Sequence, residues 1–202
     1  VKPNLLEFYK PILQKFVPLN ICEIGTHNAT SAIQFIDIII PLVPAKHKLH
    51  YTGYDLFDDA DDKLTEYEHN GKGPGSYKRA KHNLNHRITK YKKKFSYTLV
   101  RGNTFETLTE QEFDFVYIDG GHSYKTVMHD YDKVKNSKII VFDDYQLPEV
   151  KRAVDEIIQN LGTRYEIMEN NPIEIPKRKQ LMINSWTNKK HDQVCLIKGN
   201  YS

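Results

Sequence analysis

Cysteine is scarce. Two residues in 202, Cys22 and Cys195, are too few and too widely spaced for a disulfide framework or a CxxC zinc or redox motif. Both sit in runs of strand character and read as buried thiols of a reducing, cytoplasmic compartment. Long hydrophobic runs are missing too. The longest, around residues 33–43, is broken by Gln34, Asp37 and Pro41, so no membrane span is expected, and no secretory leader is recognisable. There is little excess of either charge: 29 Lys and Arg against 26 Asp and Glu leave a formal net charge of +3, which argues against a dedicated nucleic-acid binder. Internal repeats and low-complexity tracts are absent. The chain opens at Val1 rather than Met, which suggests a trimmed chain or a domain cut from a longer polypeptide.

What remains is an ordinary globular composition, 39% hydrophobic and 27% charged, of a length that fits one domain spanning 1–202. Apolar runs of strand length alternate with segments of helical period. The pattern predicts strands near 20–24, 50–55, 96–101, 114–118, 138–142, 164–169 and 193–198, and helices near 4–16, 29–40, 75–91, 104–110, 123–135 and 148–160. This is the signature of an α/β, Rossmann-like, seven-stranded and mostly parallel sheet with helices on both faces. No helix is evident between the last two strands, so a C-terminal antiparallel hairpin with an insertion at 170–192 is expected there.

Two of the predicted strands end abruptly in acid: Phe115-Val116-Tyr117-Ile118-Asp119-Gly120-Gly121-His122 and Ile139-Ile140-Val141-Phe142-Asp143-Asp144. Open α/β sheets bind ligands outside the carboxyl ends of their strands, so these side chains point at the expected crevice. Asp119, Asp143 and Asp144 supply oxygen donors suited to a hard divalent cation, and His122 supplies a candidate general base. The bland alternatives are a surface histidine and an Asp pair that caps the helix near Pro148 or a turn.

The first strand runs through Glu23-Ile24-Gly25-Thr26-His27-Asn28-Ala29-Thr30-Ser31 into a helix. Only Gly25 of the three glycines of a dinucleotide fingerprint is present, which disfavours a pyrophosphate ligand. An amino-acid-bearing nucleoside needs fewer glycines: Glu23 would hold an amino group, and the turn amides around Thr26 together with Ser31 would receive a carboxylate. An ordinary strand-to-helix connection is the alternative. Asp55 ends the second strand, where an acid commonly takes both ribose hydroxyls. Asn103, after the third strand, faces an adenine edge or caps a helix. The acidic cluster Asp58, Asp59, Asp61 and Asp62 reads as solvated surface.

In this order, the E-x-G turn, Asp55, Gly102-Asn103-Thr104, Asp119-Gly120-Gly121-His122 and Asp143-Asp144 resemble a class I S-adenosylmethionine-dependent methyltransferase. More narrowly the pattern is similar to the divalent-metal-dependent O-methyltransferases, of the catechol type and of the bacterial type that methylates sugars of macrolides and glycolipids. The D-G-x-H pattern favours the sugar branch. The resemblance implies that Glu23, Gly25, Thr26, Ser31, Asp55, Asn103 and Asp119 line the S-adenosylmethionine site. It also implies that Asp119, Asp143 and Asp144 coordinate Mg²⁺ or another divalent cation, and that His122 takes the place of the catechol enzymes' catalytic lysine. Two positions depart from the family pattern: Ala29 stands where a second glycine is usual, and Asn103 where many members carry Asp.

The expected reaction is therefore methylation of a hydroxyl on a sugar, glycan or related small polyol. A catechol-like acceptor, RNA methylation and a catalytically silent cofactor-binding domain are the alternatives; the modest net charge argues against nucleic acid, and an oligomer is compatible with the sequence. Acceptor specificity is expected in segments 57–76 and 170–192. The first, with Gly71 to Gly75, suits a lid. The second, with Lys177-Arg178-Lys179, Trp186 and Lys189-Lys190, suits a glycan, a phosphate-bearing acceptor, RNA or merely solvent. Lys90, Lys92, Lys93 and Lys94 complement a helix C-terminus. Tyr124 and Tyr145 flank the same rim, either to stack on a sugar or to cover the core.

Overall fold

The computed structural model describes residues 5–60, 73–161, 165–169 and 193–198. Seven strands form one sheet: β1 (Asn20–Ile24), β2 (Leu49–Asp55), β3 (Phe95–Arg101), β4 (Phe115–Ile118), β5 (Ile139–Phe142), β6 (Tyr165–Glu169) and β7 (Val194–Lys198). Their order is β3-β2-β1-β4-β5-β7-β6. β1 to β5 pair in parallel, and β7 runs antiparallel to both β5 and β6. The expected closing hairpin is thus present, with its second strand slotted between β5 and β6.

Strand parity sorts the side chains into two apolar layers, as strands buried on both faces require. On one face Ile21, Phe115, Tyr117, Ile139, Val141, Cys195 and Ile197 pack with residues of α1 (Leu5–Phe16), α2 (Thr30–Ile39) and α3 (Tyr77–Tyr91). On the other, Cys22, Ile24, Val116, Ile118, Ile140, Phe142, Val194 and Leu196 pack with α5 (Tyr124–Val134) and α6 (Pro148–Leu161). The short α4 (Thr104–Thr107) follows β3. Among the described residues, no helix is long and apolar enough to cross a membrane.

Several boundaries depart from expectation for local reasons. The helix expected from residue 75 starts at Tyr77 because Ser76 caps it, its side chain accepting from the Arg79 amide. The helix expected over 104–110 stops at Thr107, where Leu108 turns extended and buries its side chain. The segment expected to be helical to residue 40 passes at Ile40 into a 3₁₀ turn, Ile40–Leu42, containing Pro41. Strand β4 begins at Phe115, one residue late, since the Asp114 side chain is used as a clamp: its Oδ2 accepts from the Leu19 and Asn20 amides, 2.9 Å each, and Lys138 Nζ donates to Oδ1 at 2.5 Å. Burial alone would raise the pKa of this carboxyl, but Lys138 and the two amides outweigh it and hold the pKa below its ordinary value. The clamp fixes the amino ends of β1, β4 and β5, and so the register at the opposite, carboxyl ends. Residues 61–72 of the expected lid and all of 170–192 lie outside the described residues.

Candidate active site

A cavity of about 710 Å³ opens at the carboxyl ends of β1, β2, β3 and β4. Its walls include Gly25, Asp55, Asn103, Phe105, Asp119 and Tyr124. The size is that of a site for a drug-sized or nucleoside-sized ligand.

The turn after β1 has to be glycine at one position. Gly25 has φ +94°, and a β-carbon there would lie 1.9 Å from the Asp119 carbonyl oxygen. Its amide and that of Thr26 both donate to the Tyr54 carbonyl, at 2.8 and 3.2 Å, which locks the turn onto β2. His27 and Ala29 then adopt left-handed conformations, with φ 51° and 61°. Asp55 holds this turn. Its Oδ2 accepts from the His27 amide at 2.6 Å and its Oδ1 from the Phe57 amide at 2.5 Å. Gly75 lies against the same turn, so close that a β-carbon would reach 2.4 Å from the His27 Cα.

Asn103 lines the cavity and also caps α4, accepting from the Phe105 amide at 3.0 Å. Of the two readings of this residue, the helix cap is the one observed. Phe105 is exposed, stacks on His129 with ring centroids 4.1 Å apart, and has Lys125 Nζ 5.1 Å above its ring.

Glu23, Thr26 and Ser31 are buried and absent from the cavity wall. The Glu23 carboxylate, expected at a ligand's amino group, is only 1% exposed and accepts a 2.6 Å bond from the Tyr51 hydroxyl, which in turn lies 3.0 Å from Thr26 Oγ1. The cause is strand parity, which turns Glu23 toward the α1–α3 layer beneath the turn. Burial and the Glu23 charge push the Tyr51 pKa well up, so Tyr51 stays a donor to this carboxylate.

Beside the cavity, on the far side of the Asp119-Gly120-Gly121 bend, the two acidic signatures meet. One carboxylate oxygen from each of Asp119, Asp143 and Asp144 lies within 4.8 Å of the others. His122 Nε2 is 3.1 Å from Asp144 Oδ2. Asp144 is held at φ 56° and also accepts from Gln146 Nε2 at 2.9 Å. Asp143, 8% exposed, accepts from the Tyr117 hydroxyl at 2.6 Å and from Gln193 Nε2 at 2.7 Å. The predicted quartet does converge, with Asp119 shared between the large cavity and this acidic recess. Three carboxylates, hard oxygen donors at this spacing, fit a divalent cation of the Mg²⁺ or Ca²⁺ kind.

Several residues at the site escape a reading of the sequence. A tyrosine in a fully buried strand needs a polar partner, so Tyr117 carried a faint signal. Gln193 carried none. Asp130, buried on α5, lines the cavity under Gly120. On the rim, Tyr124 donates to Glu156 at 2.7 Å and lies under the Arg152 guanidinium, 4.0 Å from its ring. Tyr145 is tied instead to Asp155, at 2.6 Å, and is absent from the cavity wall.

A parallel sheet closed by an antiparallel last strand, with its cavity over the glycine turn of β1 and the acid of β2, defines a Rossmann-like protein of the class I methyltransferase fold. The family model described as a methyltransferase domain matches residues 22–145, and the chain belongs to that family. Solved structures agree in fold. The O-methyltransferase NovP aligns with a TM-score of 0.65 and 14% identity over 96% of this chain and 79% of its own. An O-methyltransferase from Bacillus cereus in complex with SAH aligns with a TM-score of 0.56 and 16% identity, over 98% and 82% of the two chains. TomG from Streptomyces achromogenes, an O-methyltransferase involved in tomaymycin synthesis and solved with SAM, gives 0.53 and 12% over 98% and 82%. No curated protein matches the sequence.

Proposed function

We propose that this chain, as one domain over 1–202, is an S-adenosylmethionine-dependent O-methyltransferase that methylates a hydroxyl of a sugar, glycan or related small polyol with the help of a divalent cation. The observation that carries the reading is the meeting of Asp119, Asp143, Asp144 and His122 at the edge of a nucleoside-sized cavity. The methyl donor would occupy that cavity, with its ribose at Asp55, its adenine toward Asn103 and Phe105, and its amino-acid end over Gly25 and Asp119. The similar structures solved with SAH and with SAM support this assignment. A reducing, cytoplasmic setting belongs to the same reading, since Cys22 and Cys195 are free and buried.

An aliphatic hydroxyl is a poor nucleophile at neutral pH, so its proton must leave as the new bond forms. Asp144 beside Nε2 favours the His122 tautomer with its proton on that nitrogen, which makes Nδ1 the one able to accept. His122 would take the hydroxyl proton, and S-adenosylmethionine, when bound, would supply the methyl group to the acceptor oxygen and leave as the neutral thioether. Bound by Asp119, Asp143 and Asp144, a hard cation would supply Lewis-acid stabilisation of charge on the acceptor oxygen. Holding the reacting atoms in line provides much of the remaining acceleration.

The test is consumption of S-adenosylmethionine over a panel of sugars and catechols, with Mg²⁺ and with a chelator. Sugar turnover that needs Mg²⁺, that vanishes in Asp143→Ala, and that falls roughly 100-fold or more in His122→Ala is the expected result. Full turnover of Asp143→Ala in chelator overturns the cation reading, and a preference for catechols overturns the acceptor class.

A further inference from the structure

We infer that Tyr117 and Gln193 are positioning residues for Asp143, a buried two-point hold that presets this carboxylate for a cation; the inference rests on the cation reading above. Three strands deliver the parts. Phe142 pairs with Val194 in the antiparallel β5–β7 register, which brings the residue after β5, Asp143, opposite the residue before β7, Gln193. Tyr117 of β4 pairs with Val141, two residues before Asp143, so all three side chains rise from the same face of the sheet. Tyr117 and Gln193 are buried, and each donates to a different oxygen of Asp143, Tyr117 to Oδ2 and Gln193 to Oδ1. Gln193 Nε2 also lies 3.3 Å from the Tyr117 hydroxyl, so the two donors brace each other.

The physical consequence is a carboxylate that cannot turn. The last torsion of an aspartate is soft, and an unheld Asp143 would rotate away from the like charges of Asp119 and Asp144. One donor on each oxygen fixes its plane. A carboxylate offers about four acceptor sites, so a bond to each oxygen leaves both able to ligate a metal. Donors behind a metal ligand orient it and raise affinity by this means, and their loss typically costs 10–100-fold in metal binding.

The experiment is a Mn²⁺ titration followed by electron paramagnetic resonance on the full chain, with S-adenosylhomocysteine affinity measured in parallel by calorimetry. Tyr117→Phe and Gln193→Leu are each expected to weaken Mn²⁺ binding roughly 10-fold or more and to alter the Mn²⁺ spectrum, while the affinity for S-adenosylhomocysteine stays at the wild-type value. Asp143→Asn should remove tight Mn²⁺ binding. If both donor variants bind Mn²⁺ as the wild type does while Asp143→Asn does not, the donors are structural only and the inference fails with the cation site intact. If the wild type binds Mn²⁺ no better than Asp143→Asn, the cation reading itself fails, and the inference with it. Tyr117→Phe, which removes a single oxygen, decides the matter should Gln193→Leu not retain S-adenosylhomocysteine binding.

Discussion

Asp55 illustrates how much one side chain can organise. It was expected at a ribose, and it stands on the cavity wall, yet its two oxygens already hold the backbone of the turns after β1 and β2. Removing it deprives two amides of a charged acceptor, each bond being worth about 1.5–3 kcal/mol. Asp55→Ala should therefore weaken S-adenosylhomocysteine binding at least about 10-fold, the equivalent of one such bond, and also lower the melting temperature; calorimetry and circular dichroism measure the two effects. A loss of affinity with unchanged melting would mean that the carboxylate serves the ligand alone. Ala29 is the converse case. It stands where the resembling family usually has glycine, and its φ of 61° shows why glycine is favoured there. The left-handed conformation costs a residue with a β-carbon on the order of 1 kcal/mol or more, and the buried turn holds it regardless.

At the scale of elements, α2 links core and site. Its first turn follows the glycine turn, and its buried face carries Ala32, Phe35, Ile36 and Ile39. Phe35 packs edge-on against Phe115 at 5.1 Å and Tyr117 at 5.3 Å between ring centroids. Phe35→Ala should cost about 3–5 kcal/mol, the usual loss for a buried aromatic, read as a lower urea midpoint. Because Tyr117 loses one of its supports, Mn²⁺ affinity should fall as well. Most elements were legible in the sequence. β4 and β5 are continuous apolar runs ended by Asp119 and Asp143, and β1 ends at Gly25; such an abrupt change to acid or glycine marks a strand end without any knowledge of the fold. The short α4 was overread because residues 104–110 have helical composition, whereas burial of Leu108 decides where the helix stops. For Glu23 the position in the E-x-G turn is plain from the sequence, but which layer its side chain enters depends on the sheet around it.

For the molecule as a whole, the thiols and Tyr51 make stability depend on alkaline pH. Burial, aided by the charges of Glu23 and Asp130, pushes the Cys22 pKa up, burial does the same to Cys195, and burial with Glu23 does so to Tyr51. The folded state therefore keeps protons that the unfolded chain releases. This contribution is fully present below the unfolded thiol value of roughly 8.5, and it is lost as pH rises from there through the raised folded values. Melting temperature should fall between pH 8 and 11, each thiol contributing up to about 1.4 kcal/mol per pH unit. A Cys22→Ala/Cys195→Ala double variant should show a flatter decline between pH 8 and 10, and an equally steep one would assign the loss to other groups.

Local chemistry was enough to reveal an α/β sheet with acids at the ends of its strands, because apolar periodicity and turn residues act over a few positions and are written directly in the chain. Which of those acids meet, and what holds them, needed the strand order. Gln193 lies 50 positions from Asp143 and 76 from Tyr117. Only the insertion of β7 beside β5, in one register and with one face up, brings them within hydrogen-bonding distance, and a shift of a single residue would have turned each of these side chains into the opposite layer.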